Sequence, residues 1–301
     1  MKMGLMLAGG GGNLDSVVKT AQQAEASGFD NLWMANIFDF DAITTLAIVG
    51  RETRTIGLGT AVVPTYPRHP SAIAQQALTA AAASGNRFTL GIGLSHKIVI
   101  EDMLGFSYDK PARHMREYLE VLAPLLSGDT VNFDGDQFKV HNLALSVPGV
   151  SGVPLLIAAL GPAMLKLAGE MADGTVTWMT GPKTLESHIA PSIVRAAEAV
   201  GKPAPRIAAG FPIVLTKDVP AAREMIASTL QIYGVLPSYR AMLDREGLAG
   251  PADLAFAGDE KELKANIDRL RDIGVTDFCA NIVAADAAEY QRTYDFLASL
   301  I

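Results

Sequence analysis

Five histidines, His69, His96, His114, His141 and His188, are the side chains of this sequence that exchange a proton most readily near neutral pH. His96 stands in GIGLSHK, directly after an apolar run, where a histidine can either face a ligand or cap its own loop. His69 follows Arg68 in TYPRHP and fits better as a cap for a helix starting near Pro70, or as a fixture of the rim. Only His114 and Glu117 approach metal-ligand spacing. They lie in RHMREYLE, a charged stretch expected to face solvent, so no metal site is expected. The lone Cys279 excludes an internal disulfide framework and a cysteine-based zinc site. There is no G-x-S-x-G, no paired-carboxylate motif, no P-loop lysine pattern and no lysine that stands out for Schiff-base work.

Two backbone motifs bear on ligand binding. In AALGPAMLKLAGEMADG, Gly161 sits where a helix N-cap falls and Pro162 suits the first helical position, where a missing N–H costs nothing. The free N–H groups of Ala163 and Met164 would then form a ready anion site, able to hold a phosphate by backbone alone; an ordinary strand-to-helix turn uses the same Gly-Pro spelling. The run Gly9–Gly12 fails the dinucleotide pattern, because Leu14 stands where the third glycine belongs and the second strand ends in Ala35-Asn36-Ile37 without an acidic residue. With so few protein nucleophiles, a bound cofactor is expected to carry the chemistry.

The totals set the scale of the scaffold. The chain has 301 residues, 49% hydrophobic and 19% charged, enough for a large core. Its net charge is −7 and no Lys/Arg-rich run occurs, which argues against nucleic acid or an anionic membrane as the main partner. No stretch reaches the roughly 18 consecutive apolar residues of a membrane span. MKMGLMLAGGGG has the look of a weak signal peptide, but Asn13–Ser27 continues at once as an amphipathic helix without an A-x-A site, so a cytoplasmic protein is expected.

The elements that must position these groups alternate. Eight apolar runs read as strands: MGLMLA, DNLWMA, TIGLGTAVV, RFTLGIGL, PLLIAAL, GTVTWM, RIAAGFPIVLT and VTDFCANIV. Most are continuously apolar, as parallel strands buried on both faces are, and helical stretches separate them. This predicts an α/β fold of the (β/α)8 TIM-barrel type in one domain over 1–301; a doubly wound open sheet is the competing arrangement. Two insertions interrupt the rhythm. One, after the fourth strand, includes a hairpin over Val131–Asn142 turning at Asp134-Gly135, and the other is a helical segment from about Gln231 to Asp259 in the C-terminal third. In such barrels the site lies at the C-terminal strand ends. TAVVPTYPRHP therefore leaves the third strand at the mouth, and its prolines stiffen the rim without removing ladder hydrogen bonds.

Four stretches in order, GFDNLWMANIF, LGTAVVPTYPRHPSAIAQQALT, FTLGIGLSHK and AALGPAMLKLAGEMADGTVTWM, resemble the bacterial luciferase-like flavin and deazaflavin oxidoreductases over nearly the whole chain. The match looks closest to the branch using coenzyme F420, a hydride-carrying deazaflavin. That resemblance implies an F420-dependent oxidoreductase acting on a small organic substrate. An FMN-dependent monooxygenase and a non-catalytic flavin-binding barrel are the alternatives. It also implies a cis peptide bond at Ala61–Val62 behind the cofactor ring, with Asn36 and Pro64 near the ring. Leu94, Ser95 and Val99 would lie along the ring and its ribityl chain, and Leu160, Gly161, Ala163 and Met164 would form the phosphate cradle. His96 falls where sugar-phosphate dehydrogenases of the branch have a catalytic glutamate, and Asn36-Ile37 replaces their Asp-His pair. With Trp33, Ile37, Phe38, Trp178 and Met179 expected nearby, a nonpolar carbonyl, alkene or alcohol substrate is implied rather than a sugar phosphate. Lys97, Lys110, Arg113 and Arg116 are the candidates by position for the cofactor's acidic tail, and a homodimer through barrel helices is expected by the same resemblance.

Overall fold

The computed structural model describes residues 1–8 and 12–301; most of the glycine run Gly9–Gly12 lies outside the described residues. Among them, eight parallel strands pair in sequence order: β1 (Lys2–Leu7), β2 (Asn31–Met34), β3 (Gly57–Thr60), β4 (Phe88–Gly93), β5 (Leu155–Ala158), β6 (Gly174–Thr177), β7 (Arg206–Leu215) and β8 (Asp277–Ile282). The ring closes where Lys2 of β1 lies opposite Asp277 of β8 and Ala208 of β7 takes the same partner from the other side. A closed parallel barrel, not an open sheet, is the result.

Strand side chains alternate between two faces, and the two sets are built differently. Leu5, Leu32, Leu58, Leu90, Ile157 and Phe278 point outward into the main core under the helices. Met6, Trp33, Leu156, Val176, Ala208 and Cys279 form a separate cluster inside the barrel. Trp33, 1% exposed, is the largest of these. It fits because its neighbours across the ladder lack side chains: a Cβ on Gly59 would lie 2.4 Å from the indole, and one on Gly4 would lie 3.2 Å from it. Beneath Trp33, the N-terminal end of the barrel is sealed by polar groups. Arg206 Nη2 donates to Asp277 Oδ1 at 2.7 Å, Asn31 Nδ2 reaches the same oxygen at 3.1 Å, and Arg206 Nη1 donates to Thr89 Oγ1 at 3.2 Å. The guanidinium carbon lies 5.8 Å from the Trp33 ring centre, a cation–π distance.

The helix starts follow the sequence signals. Asn13 accepts from Ser16 N at the head of α1 (Leu14–Ala26), and Asp41 accepts from Thr44 N at the head of α2 (Ala42–Glu52). His69 caps α3 (Pro70–Ala83) through Ser71 N, the structural role its position suggests. Arg68 pairs with Asp41, so the loop after β3 is tied to the start of α2. Among the described residues no helix is long and apolar enough to cross a membrane.

Two expectations change. The run Thr55–Val63 is not one strand: β3 stops at Thr60, the Ala61–Val62 peptide bond is cis, and pairing resumes at Val63–Pro64 opposite Ile92 and Gly93. The Thr60 hydroxyl spans this break, donating to Gly91 O and accepting from Gly91 N, both at 2.8 Å. Secondly, His114 and Glu117 on α4 (Pro111–Ser127) do not face solvent; they are 4% and 7% exposed. The hairpin Val131–Asp134/Lys139–Leu143 folds across that helix, so Gln137 N donates to Glu117 at 2.7 Å and Gln137 Oε1 accepts from His114 Nδ1 at 2.7 Å. With Nδ1 carrying the proton, Nε2 accepts from the Thr65 hydroxyl at 3.1 Å. The neutral ring is thereby satisfied on both sides, and burial holds its pKa below the ordinary histidine value.

Because the indole fills the space that glycine leaves, Gly59→Ala should overpack the barrel and destabilise the protein by about 1–3 kcal/mol. A urea titration measures this as a lowered midpoint; an unchanged midpoint would mean that Trp33 has room to move aside.

Candidate active site

The C-terminal ends of the strands bring four of the predicted segments to one mouth. At the β3 exit the chain re-enters the barrel: Val62 joins Trp33 and Ala61 in the interior cluster. Room for it comes from β4, where a Cβ on Gly93 would lie 2.6 Å from Val62 Cγ2 and one on Gly91 would lie 2.0 Å from Thr60 O. Pro64 follows, half-buried, as the last paired residue of that edge.

The β4 exit, Leu94-Ser95-His96, turns through a left-handed Ser95 (φ 60°) into a single π-helical segment, Ile98–Met103. Wide turns of this kind are frequent at functional sites. The Tyr108 hydroxyl donates to Ser95 O at 3.2 Å, and the Tyr66 ring stacks on Tyr108 at 5.3 Å and on His114 at 3.9 Å. The loops after β3 and β4 are therefore held to one another and to α4 by a column of three rings.

His96 is half-buried at this mouth. Its imidazole makes no hydrogen bond among the described residues, and its ring contact is with Tyr239, centroids 5.4 Å apart. Burial lowers its pKa below the ordinary histidine value, with no charged neighbour contributing. Lys97 and Glu101, the charges closest along the loop, pair with each other at 3.5 Å. Val99 lies on the same π-helical segment.

At the β5 exit, Gly161 adopts extended backbone (φ −83°, ψ 159°) as the N-cap of α5 (Pro162–Met171), with Pro162 at the first position and no side-chain cap. A Cβ on Gly161 would meet nothing within 4 Å, so the helix start opens outward. Ala163 beside it is exposed and Met164 half-buried. His188, 9% exposed on the π-helical turn Leu185–Ile189, donates from Nε2 to Leu160 O at 2.8 Å. A carbonyl only accepts, which fixes the proton on Nε2. In a trans peptide the C=O and the following N–H point in opposite directions, so this bond aims the Gly161 N–H away from His188.

The remaining predicted residues divide. Asn36 accepts from Ala42 N at 3.0 Å and so supports the start of α2. Ile37 and Phe38 beside it are exposed, Phe38 at 70%. Trp33 lies below the mouth as its floor, and Trp178 stands beside Gly210, where a Cβ would come within 2.8 Å of the indole. Met179 is buried in a second core with Val214, Ile226 and Leu243, out of reach of a ligand. Of the basic candidates, Arg113 is committed to Glu117 and Asp136 and Lys97 to Glu101; Lys110 and Arg116 form no ion pair among the described residues. No group of three metal-ligating side chains occurs among those residues.

Sequence reasoning missed Tyr233, Tyr239 and His188. The two tyrosines sit in QIYGVLPSYRAM, whose apolar spacing reports a helix but not the strand end over which it folds. His188 carries no local motif at all.

The chain matches the family model of luciferase-like monooxygenases over residues 1–292. It is similar to the 5,10-methylenetetrahydromethanopterin reductase of Methanolobus tindarius, 28% identical over 298 residues, 88% of this chain and 90% of that one. The reductase of the same name from Archaeoglobus fulgidus is 37% identical over 165 residues, 54% of this chain and only 49% of that protein. Among solved structures, an F420-dependent secondary alcohol dehydrogenase in complex with an F420-acetone adduct superimposes with a TM-score of 0.83 at 21% identity, covering 100% of this chain and 98% of that one, which establishes a common fold. A closed eight-stranded barrel with its exposed backbone donors and rim histidine at one mouth, matched over residues 1–292 by one family model, places this chain in the luciferase-like monooxygenase family.

Proposed function

We propose that this chain is an F420-dependent oxidoreductase acting on a small, neutral, nonpolar alcohol–carbonyl pair. The observation that carries the reading is the convergence at one mouth of an open helix start at Gly161, the Val62 wall and a half-buried His96 whose ring makes no hydrogen bond among the described residues. The similarity to F420-dependent relatives supports the choice of cofactor.

The residues present fit that group. Ala61, Val62 and Pro64 offer an apolar backing for a flat ring, with Asn36 at the neighbouring strand end. Leu94, Ser95 and Val99 line the next loop. Leu160 closes the β5 exit, and the backbone donors of Gly161, Ala163 and Met164 suit a phosphate, since a helix start favours negative charge. F420, when bound, supplies hydride transfer at its ring. The protein's own part is to orient the reactants, keep water out and handle the proton.

His96 is suited to that last task. Its pKa lies below the ordinary value, so at pH 7 the ring is neutral and accepts a proton. In alcohol oxidation the hydroxyl proton passes to the free imidazole nitrogen as the C–H bond gives up its hydride. In the reverse direction the same nitrogen, once protonated, returns the proton to the carbonyl oxygen. Lys97, the cation next to His96 in the chain, is paired with Glu101, which disfavours a phosphorylated substrate.

Two outcomes follow. Oxidation of a secondary alcohol with F420, read as loss of deazaflavin fluorescence, should rise with pH through a value below 6.5 and level off by neutrality. His96→Gln should remove that limb and lower kcat by about 10²–10⁴-fold with F420 affinity unchanged; an identical limb in the variant would exclude His96 as the proton carrier. His188→Leu should free the Leu160 carbonyl and weaken F420 binding about tenfold, roughly 1.4 kcal/mol, while affinity for a deazaflavin riboside lacking the phosphate stays the same. Equal losses for both ligands would place the effect elsewhere than the phosphate.

A further inference from the structure

The segment between β7 and β8 looks dispensable if the rim of the barrel alone builds the site. Its aromatic rings indicate otherwise. After α6 (Val219–Thr229) the chain runs through a short 3₁₀ turn, Gln231–Gly234, into α7 (Pro237–Glu246), and so brings Tyr233 and Tyr239 back over the mouth. We propose that Tyr239 is the positioning residue of His96, which makes this segment part of the catalytic apparatus; the proposal rests on the reading of His96 as the proton carrier.

An imidazole without a hydrogen bond is free to turn about two side-chain torsions, and only packing limits it. The packing partner here is the Tyr239 ring, 5.4 Å from the imidazole and tilted by 56°. Tyr239 is itself held. Its ring meets Tyr233 edge-on at 5.1 Å, and Tyr233 meets Trp178 edge-on at 6.0 Å. Trp178 in turn is wedged into the barrel beside Gly210, where no side chain larger than hydrogen fits. A chain of four rings thus runs from the β6 exit to the β4 exit.

The backbone carrying Tyr239 is fixed as firmly. Arg240 donates to Asp244 at 2.8 Å and to the carbonyls of Leu248 and Ala249 at 2.6 and 2.8 Å. Glu246, the last residue of α7, accepts from the backbone N–H groups of Lys183 and Thr184 at 3.0 and 2.8 Å. The C-terminal half of the helix is therefore held, and the charged groups that hold it are paired with one another or turned to backbone rather than to His96.

Few groups around the imidazole titrate. Tyr239 faces it from the insertion with Tyr233 behind, and burial raises the pKa of both phenols, so they stay neutral. On its own loop, Lys97 and Glu101 neutralise each other, and the Tyr108 hydroxyl is spent on Ser95 O. The ring of Tyr239 consequently acts on His96 by fixing its orientation and by displacing water from it, not by charge.

The test is an NMR titration of the His96 ring in wild type, Tyr239→Phe and Tyr239→Ala, without cofactor, paired with F420 titrations and pH–rate profiles for alcohol oxidation. Tyr239→Ala should move the His96 pKa up toward the ordinary value. The rate limb should shift by the same amount and kcat should fall about tenfold, with F420 affinity unchanged. Tyr239→Phe, which keeps the ring, should restore all three. If the alanine variant does not fold, Tyr239→Gln, which removes the ring and admits water while keeping side-chain length, carries the same expectation. An unmoved His96 pKa and rate limb would overturn the proposal, as would loss of F420 binding in step with activity. Failure of the wild type to bind F420 would sink the cofactor reading instead, and the cofactor-free NMR titration would still decide the role of Tyr239.

Discussion

Space inside the barrel is the constraint on which everything else here depends. An eight-stranded ring leaves an interior just wide enough for its own side chains. Beside Met6, Leu156, Val176 and Cys279, this chain packs Trp33 and one re-entrant loop into it, and it does so by placing glycine opposite each. Gly4 and Gly59 flank Trp33, and Gly91 and Gly93 receive Thr60 and Val62. The wall at the mouth is thus a consequence of two glycines on the neighbouring strand, and the floor below it a consequence of two others. The same logic explains the polar plug at the far end, where a layer that glycine and tryptophan leave unfilled is closed by a paired arginine and aspartate.

The mouth is then stiffened from outside by contacts between successive strand exits. Tyr66, Tyr108 and His114 join the third and fourth, His188 joins the fifth and sixth, and the four-ring chain from Trp178 to His96 joins the sixth and fourth. Each link uses a side chain from one loop to fix backbone or a ring in another. A site held this way on strand ends keeps reacting groups in register, which is where most of the rate in a cofactor-dependent reaction must come from.

Much of the fold is legible in the residues because its strands are buried on both faces. Runs such as PLLIAAL and TLGIG have no solvent face to obscure them, and the helix starts at Asn13, Asp41, His69 and Gly161 announce themselves through residues that satisfy or open the first turn. The cis bond after Thr60 is different in kind: periodicity read that stretch as one strand, and only the family resemblance located the break. What escapes altogether depends on partners distant in sequence. His114 reads as a surface residue because the hairpin that covers it lies beyond its own helix, and Tyr239 reads only as part of an inserted helical segment because its contact with His96 spans 143 positions. Pattern reading reports which face of an element is buried; it does not report which other element buries it.

A paired titration of the purified protein with F420 and with FMN, followed by cofactor fluorescence, tests most directly which cofactor the mouth holds. Saturable F420 binding in about the micromolar range, with FMN much weaker, is the predicted result. Tighter binding of FMN, accompanied by oxygen uptake when the flavin is supplied reduced, would contradict it and turn the same mouth toward oxygen chemistry.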